Sequence, residues 1–568
     1  MCDVSGYTGT SPISIEQFGA VNSNRGPDGT TYYKSEQLNI AHSLLAIQPN
    51  KEQIQQPIVD PRTGNVLAYN GEIYGLGDDV FDSQWLSDCL NEGDWEQLKY
   101  RTNGMWGFAF YNRSEQRLTL CRDHFGVKPM YYAAIGEQLF FSSHPRPIMM
   151  ALNTLGYGVV RNDYRHKEWL DNDRFPIGEG FNVSQIKRVP PGGRVEWCMR
   201  QNKIIGINNL WGDWKLEPNY KWNRDEYHEL MERAFHEVCY APGVKKTISL
   251  SGGLDSTLIA GVAKANNIDD ISATTLRFKK SLSKGVDKKK LNPKMYQEFP
   301  IAKKTAQELD MDFNWSYYDE SVREDARYAL GVPAWDRNRV DPRYCNIRKA
   351  AANNNKIYLV GDGADEMLTG YSADYTWCKD QELVSYSLEK MHRWRKLNGE
   401  RDDNPGCGWP SKLFSGFARI FPKWHKNIGY DVVNNQRFFR TLCHVDGFMT
   451  VADHMCGAFG MESRAPFMHQ EFAKYVLNIP GGVKLYTPGD ETLKAQGFPD
   501  DNYTYLGAYK ALIRDEAKKF IPDHVRKRGR KIGFANPINA RDHQLNFEIG
   551  NEDFDQWFND IEQEEFEI

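Results

Sequence analysis

The first part of the chain alternates short apolar runs with turn-forming residues. The runs are Val66–Tyr69, Gly107–Tyr111, Arg117–Cys121, Leu139–Ser142 and Val195–Cys198. Gly, Asn, Asp or Pro residues separate them, which is typical of strands joined by tight turns. The pattern predicts a β-rich layered domain over residues 1–205, with the last run in its closing hairpin.

After Arg224 the apolar spacing changes. Helical and strand-like segments now alternate: Glu226–Val238, Lys246–Leu250, Thr257–Lys264, Ile271–Leu276, Ile301–Leu309 and Ile357–Val360. Strands that alternate with helices favour a doubly wound parallel sheet. We predict this second domain over residues 225–545, mainly helical beyond about residue 380, followed by an acidic tail at 546–568.

Composition narrows the class of protein. The 568 residues are too many for one hydrophobic core, and a net charge of −5 gives no basic face for a nucleic acid. The basic residues of Lys279–Lys294 are interpreted as a solvated loop. The ten cysteines show no zinc-type or Cys-x-x-Cys spacing, which favours a reducing compartment. Since neither a signal peptide nor a membrane-spanning run is visible, we expect a cytoplasmic protein.

The second residue is a cysteine, and its position gives it chemical interest. If Met1 is removed, the Cys2 thiol lies beside a free α-amine that can act as the base for its own nucleophile. The ordinary pKa of this amine, about 7.7–8.0, suits proton transfer near neutral pH. A near-terminal cysteine alone is more often structural, so its neighbours in sequence decide the interpretation.

Four motifs follow Cys2 in a fixed order. They are Arg25-Gly26-Pro27-Asp28, Asn70-Gly71-Glu72-Ile73-Tyr74, Gly104-Met105-Trp106-Gly107-Phe108-Ala109 and Arg122-Asp123-His124-Phe125-Gly126-Val127-Lys128-Pro129. An isolated Asn-Gly is usually only a hairpin turn. As a set, these motifs resemble the class II, N-terminal-nucleophile glutamine amidotransferases over about the first 200 residues, which implies an α+β layered glutaminase domain.

The resemblance implies a role for each motif residue. Cys2 would attack the side-chain amide of glutamine and release ammonia through a thioester, with Asn70 and Gly71 holding the oxyanion. Glu72 and Asp82 would hold the α-amino group, since carboxylates are natural partners of an ammonium.

Two positions depart from this family pattern. Leu44 stands where family members carry an Arg that clamps the α-carboxylate of glutamine, and His144 stands where a Glu is common. Loss of a bidentate clamp is expected to weaken glutamine binding by roughly 1.5–3 kcal/mol unless another cation substitutes.

A second motif follows the predicted strand Lys246–Leu250. The string is Ser251-Gly252-Gly253-Leu254-Asp255-Ser256, and a helix follows. Small residues let the backbone turn tightly and aim N–H groups at an anion near a helix N-terminus. The motif lacks the Gly-Lys-Ser/Thr of kinase-type loops. It resembles the PP-loop ATP pyrophosphatases, which release pyrophosphate after adenylating a substrate.

An acidic loop follows the predicted strand Ile357–Val360, with the sequence Gly361-Asp362-Gly363-Ala364-Asp365-Glu366. Ligands of doubly wound sheets bind beyond the carboxyl ends of the strands, so both loops are expected to face one crevice. Asp255 and Asp365 would then share Mg²⁺ that bridges the phosphates of ATP.

With Glu462–Phe467 and Lys531–Phe534, these segments resemble the synthetase half of the asparagine synthetase family over roughly residues 225–540. The resemblance implies Asp362 as general base when ammonia attacks and Lys531 as the cation that stabilises phosphate charge. It places Leu250, Leu276, Val360 and Gly361, with the loop 251–256, against the nucleotide. His469 replaces an Asp of the family.

The resemblance implies a reaction of glutamine, aspartate and ATP. It also implies a homodimer, which is the common assembly of the family. Amidation of another carboxylate stays open because of Asp362 and His469, as does an ammonia-dependent synthetase with a weakened glutaminase site. Cys2 argues against β-lactam-forming relatives, and the amidotransferase domain argues against an RNA-modifying enzyme. Leu44 is the best support for a non-catalytic protein, which intact Cys2 and Asp365 oppose.

Overall fold

The computed structural model describes residues 2–47, 55–77, 80–166, 179–211, 221–278, 294–331, 342–368, 370, 445–479, 484 and 510–526. Lys531, the tail at 546–568 and residues 279–293 of the basic loop lie outside these ranges, so the expectations for them stay predictions. No helix in the described ranges is long and apolar enough to cross a membrane.

The N-terminal part, residues 2–211, is built from two antiparallel six-stranded sheets. Its strands are β1 (Asp3–Thr8), β2 (Gly29–Lys34), β3 (Leu38–Leu44), β4 (Ile58–Val59), β5 (Val66–Ile73), β6 (Gly104–Asn112), β7 (Arg117–Arg122), β8 (Tyr131–Ile135), β9 (Gln138–Ser142), β10 (Lys187–Arg188), β11 (Gly193–Cys198) and β12 (Lys203–Asn209). The strand orders are β10-β8-β9-β1-β3-β2 and β12-β11-β7-β6-β5-β4. Its helices are α1 (Ile15–Ala20), α2 (Asp82–Glu92), α3 (Trp95–Tyr100) and α4 (Pro145–Thr154).

Alternation of side chains along β5 shows how the layers form. Val66 and Ala68 belong to a buried core shared with β1 and β3 of the other sheet. Leu67 and Tyr69 point the opposite way and pack with residues of α2 and α3. Helices α1 and α4 cover the outer face of the sheet that contains β1. The result is a four-layer helix–sheet–sheet–helix arrangement, which confirms the predicted layered α+β fold.

The C-terminal part, residues 221–526 with the gaps given above, contains one parallel five-stranded sheet. Its strands are β13 (Lys246–Ser249), β14 (Ile271–Arg277), β15 (Phe313–Tyr317), β16 (Ile357–Leu359) and β17 (Glu462–Arg464), in the order β15-β14-β13-β16-β17. Its helices are α5 (Arg224–Cys239), α6 (Leu254–Ala265), α7 (Lys294–Glu308), α8 (Arg323–Leu330), α9 (Arg343–Ala352), α10 (Ala364–Met367), α11 (Asp446–Gly457), α12 (Gln470–Asn478) and α13 (Asp523–Arg526).

The strand order reverses between β13 and β16, which lie side by side although α6 to α9 separate them in sequence. Such a reversal opens a crevice at the carboxyl ends of the two strands, where ligands of doubly wound sheets bind. This topology confirms the predicted doubly wound sheet. It adds β15 and β17, which the apolar pattern did not indicate.

A cluster of buried charges joins the two parts of the chain. Its cations are Arg25, Arg122, Lys128 and Arg188, and its carboxylates are Asp446, Asp453 and Glu462. Arg25 lies 2.6 Å from Asp453, and Lys128 lies 3.2 Å from Glu462. Breaking one buried pair leaves an uncompensated charge at a cost of about 3–5 kcal/mol. The cluster therefore favours one docking arrangement of the two parts.

Candidate active site

Cys2 lies immediately before β1, a central strand of its sheet, and is partly exposed. Burial raises the pKa of its thiol, while the positive chain terminus and a hydrogen bond from the Leu45 backbone oppose that rise. Glu462 raises the pKa further and Lys128 lowers it. Because the net effect is upward, the thiol is mostly protonated at neutral pH and requires a base to become a nucleophile.

Asn70 lies on β5, in the layer that β1 packs against. By the alternation along β5 its side chain points, like that of Ala68, into the space between the sheets. It is fully buried, and neither its Oδ1 nor its Nδ2 has a hydrogen-bond partner among the described residues. A buried amide without partners is costly, and it leaves a donor for a group that enters the site.

Gly71 has a structural reason to be glycine. It pairs with Trp106 on β6, and a Cβ built on it would lie 2.2 Å from the carbonyl oxygen of Met105. Contact of this kind excludes any side chain. The close approach of β5 to β6 therefore accounts for Gly71 whether or not its N–H meets an oxyanion.

The two carboxylates assigned to the α-amino group of glutamine lie at the end of β5. Asp82, the first residue of α2, accepts hydrogen bonds from the Tyr69 hydroxyl at 2.9 Å and from the N–H of Ile73 at 3.3 Å. Burial nevertheless raises its pKa. Glu72 lies 3.4 Å from the guanidinium of Arg464, which comes from the C-terminal part. The structure thus adds a cation that the sequence did not indicate.

His42 and Leu44 lie on β3. The Nε2 of His42 donates to the carbonyl of Tyr69 at 3.1 Å, which ties β3 to β5. Burial lowers the pKa of His42 to about 4, so the ring is neutral at pH 7. Leu44 is partly buried, and its carbonyl accepts from Asp28 N–H at 3.0 Å. The apolar side chain of Leu44 brings no charge to the end of this strand.

The Arg122–Pro129 motif mainly builds a loop. Asp123 accepts from the backbone N–H groups of Trp106, Phe125, Val127 and Lys128 at 2.9–3.2 Å. Lys128 then reaches Glu462 across the interface. The motif thus shapes the boundary between the two parts and places one cation close enough to affect Cys2.

The phosphate-type loop joins β13 to α6. Gly252 has φ +71°, and a Cβ on it would lie 2.6 Å from Ile301 Cγ2, so glycine is required there. Within the loop, Ser251 Oγ accepts from the N–H of Gly253 at 3.3 Å and lies 3.2 Å from Ser256 Oγ. Asp255 projects from the first turn of the helix. The arrangement suits an anion, as predicted from the motif.

The acidic loop follows β16 and touches the first loop. A Cβ on Gly361 would lie 3.1 Å from Asp255 Cβ. Asp255 and Asp365 both contact the Nζ of Lys510, with Asp365 at 2.5 Å. Burial lowers the pKa of Lys510, but the two carboxylates outweigh burial and raise it. Two residues assigned to one site from sequence are therefore brought together, around a lysine that sequence reasoning missed.

Asp255 and Asp365 fit a magnesium ion. Mg²⁺ usually takes one or two protein carboxylates and completes its shell with water and phosphate oxygens. Among the described residues, no group of three or more His, Cys, Asp and Glu could hold a metal ion by itself. A carboxylate pair beside an anion-binding loop agrees with an ion that binds together with its nucleotide.

The remaining residues predicted to contact the nucleotide line the same end of the sheet. Leu250 follows β13, Leu276 lies near the end of β14, and Val360 follows β16; all three are buried. Asp362 lies 3.4 Å from Nη1 of Arg343, the first residue of α9. No spacing rule in the sequence connects Arg343 or Lys510 with these loops, so only the fold reveals them.

The two unusual histidines lie at the interface of the two parts. His144 caps α4, and its Nε2 donates to the carbonyl of Ala329 at 2.8 Å, while burial lowers its pKa well below the ordinary value. His469 Nε2 lies 2.9 Å from Glu237 Oε2, and its ring stacks on Tyr74 at 6.3 Å between centroids. At both positions a histidine ring that packs and hydrogen-bonds across the interface stands where the family pattern has an acidic side chain.

The fold and the two candidate sites define the class of glutamine amidotransferases, with the candidate nucleophile Cys2 in the N-terminal part and the phosphate-type loop in the C-terminal part. Models of glutamine amidotransferase domains match residues 1–78 and 42–150, and the asparagine synthase model matches residues 226–549. Since the last match covers more than half of the chain, the protein belongs to the asparagine synthase family. It is an enzyme of a family whose synthetase half uses ATP.

The alignments with known relatives cover most of this chain and most of each relative. Glutamine-hydrolysing asparagine synthetase 1 of Bacillus subtilis (strain 168) is 24% identical over 99% of this chain and 90% of its own. The asparagine synthetase B of Escherichia coli (strain K12) is 22% identical over 72% of each chain. Amidase chyE of Penicillium rubens is 21% identical over 88% of this chain and 81% of its own.

Proposed function

We propose that the protein makes asparagine: glutamine, aspartate, ATP and water become glutamate, asparagine, AMP and pyrophosphate. The observation that carries the proposal is the meeting of Asp255 and Asp365 around Lys510, where the order of the parallel strands reverses. It is supported by the buried, unpartnered amide of Asn70 on β5, a strand that packs against β1, which Cys2 directly precedes. One site suits an activated carboxylate and the other suits hydrolysis of an amide.

In the first half-reaction the α-amine of Cys2, freed by removal of Met1, takes the thiol proton. The thiolate attacks the glutamine amide, and Asn70 donates to the oxyanion. Collapse releases ammonia and leaves a thioester that water hydrolyses to glutamate. Glu72 and Asp82 orient the α-ammonium of glutamine.

In the second half-reaction the aspartate side chain attacks the α-phosphate of ATP and pyrophosphate leaves. The loop 251–256 binds the departing phosphates, and Asp255 with Asp365 would hold a Mg²⁺ that neutralises their charge. Lys531 would add a cation. Ammonia, delivered from the Cys2 site through the protein, displaces AMP while Asp362 accepts a proton.

The test is a product assay on the full chain with Mg-ATP, aspartate and amide-¹⁵N glutamine or ¹⁵N-ammonium. Labelled asparagine with equal AMP from either donor is expected. Asparagine from ammonium alone would show that the glutamine site is weak, consistent with Leu44. If glutamine is hydrolysed but neither donor gives asparagine, aspartate is not the acceptor, and the chain amidates another carboxylate.

A further inference from the structure

Glu72 is held by a residue from the other half of the enzyme. Arg464, the last residue of β17, places Nη2 3.4 Å from Glu72 Oε2, and its guanidinium carbon lies 5.9 Å from the centre of the Tyr74 ring. The side chain of Arg464 is 1% exposed and that of Glu72 is 17% exposed. Because water is largely excluded from this pair, its attraction is weakly screened.

The guanidinium is fixed on its own side of the interface. Its Nε donates to Glu462 Oε1 at 2.8 Å, and its Nη1 donates to the carbonyls of Val238 and Tyr240 at 3.2 and 3.3 Å. Among the described residues Nη2 has no hydrogen-bond acceptor of good geometry, and its near contact is the Glu72 carboxylate. Because the guanidinium is planar and its Nε and Nη1 are already hydrogen-bonded, its Nη2 can point in only one direction.

The backbone of Arg464 belongs to the ATP-type site. The carbonyl of Arg464 accepts from the N–H of Val360 at 2.9 Å, directly before Gly361. Its side chain and its main chain therefore contact the two candidate sites at once. A glutamic acid that receives an ammonium needs a fixed orientation, because each freely rotating side chain adds an entropic cost to binding.

We propose that Arg464 is a positioning residue for glutamine: it holds Glu72 in the orientation that receives the α-ammonium, and it does so from the synthetase half. The inference rests on the proposed function, since it requires Glu72 to bind glutamine. Arg464 does not touch the substrate in this scheme. Glutamine affinity is consequently a property of the assembled halves and not of the amidotransferase fold alone.

Glutamine hydrolysis by the full chain, measured without ATP over a range of glutamine concentrations, tests the proposal. Arg464→Met is expected to raise KM for glutamine by about tenfold or more while kcat changes less than about threefold. Arg464→Lys keeps the charge but not the fork, so an intermediate KM is expected. Arg188→Met is the matched control, because Arg188 is equally buried at the interface but contacts Asp446 at 3.0 Å.

A double-mutant cycle separates positioning from general damage. If Arg464 acts through Glu72, the pair Glu72→Gln with Arg464→Met has the same KM as Glu72→Gln alone. An unchanged KM in Arg464→Met, an equal rise in Arg188→Met, or additive effects in the double variant would each overturn the inference. If Arg464→Met does not fold, as judged by circular dichroism, Arg464→Lys decides by the same criteria. A wild-type chain that hydrolyses no glutamine would instead overturn the proposed function and the inference together.

Discussion

Cys2 and Asn70 lie on or beside strands of two facing sheets, whereas Asp255, Asp365 and Lys510 meet above the strand ends of a parallel sheet. The first site is built on regular antiparallel strands, because Cys2 directly precedes β1, which pairs with β3 from Asp3 onwards, and Asn70 pairs with Gly107 of β6. The second uses segments as far apart as 255 positions in sequence. Its geometry depends on charge attraction among three side chains. The comparison suggests that the two half-reactions can be damaged separately.

The largest expected effect comes from Cys2→Ala. Loss of the nucleophile should lower glutamine hydrolysis by at least about 10³-fold. Ammonium-dependent AMP formation should stay unchanged, because the second site shares no catalytic group with the first. Cys89→Ala, a partly exposed cysteine on α2, is the control and should leave both rates intact. Equal loss of both activities in Cys2→Ala would show that the sites are not separable.

Asp365→Asn is the corresponding change in the other half. It removes one of two carboxylates that face Lys510 and the proposed Mg²⁺, so AMP formation should fall about 10²-fold. Glutamine hydrolysis should persist. Asp312→Asn, an exposed carboxylate of the same half, serves as control. Retention of full AMP formation in Asp365→Asn would remove Asp365 from the site.

The stability that the buried interface charges provide should decrease at acidic pH. Burial alone would raise the pKa of Glu462, but Lys128 and Arg464 outweigh it and lower the pKa to about 2. A pKa below the ordinary 4.5 means that ionised Glu462 stabilises the fold above that pH. This contribution, about 3 kcal/mol, is lost as pH falls from about 4.5 towards 2.

Thermal unfolding followed by circular dichroism between pH 2 and 6 measures this loss. Glu462→Gln should unfold at lower temperature near pH 6 and should show a flatter dependence on pH than the wild type. Glu471→Gln, whose carboxylate is 52% exposed, should follow the wild-type profile. Parallel profiles for Glu462→Gln and the wild type would contradict a buried, ionised Glu462.

The smallest effect is expected at the exposed edge of the same interface. Lys356 lies 3.3 Å from Asp28, but the two side chains are 41% and 34% exposed. Solvent screens such pairs, so Lys356→Met should change the free energy of unfolding by less than about 1 kcal/mol. Urea denaturation provides the measurement. If Lys356→Met lowers the free energy of unfolding as much as Glu462→Gln does, burial does not determine how much an ion pair of this interface stabilises the protein.

Sequence patterns predicted the local parts of this molecule well. The apolar run Val66–Tyr69 indicated a strand, and the loop 251–256 indicated an anion site, because both signals lie within a few neighbouring residues. Alternating helices and strands likewise predicted the parallel sheet. The short strands Phe313–Tyr317 and Glu462–Arg464 were missed, since neither forms a long apolar run.

Contacts over long sequence distances could not be predicted. Lys510 reaches Asp255 and Arg464 reaches Glu72 only after the sheet and the interface have formed. Asp446 and Asp453 carry no motif that distinguishes them from solvent-exposed acids. For such residues the decisive quantity is burial, which depends on the packing of both halves and not on local spacing.

Helix α11 also has a consequence for exchanging parts between relatives. It belongs to the synthetase half in sequence, yet its Asp446 and Asp453 neutralise Arg25, Arg122 and Arg188 of the other half. A transplanted amidotransferase half would bring these guanidinium groups to an unmatched surface. Chimeras that carry helix 446–457 along with residues 1–211 should therefore give more soluble enzyme than chimeras cut between the halves, and the soluble yield of the two designs decides this. The functional boundary for recombination then runs through the synthetase sequence and does not coincide with the boundary between the two halves.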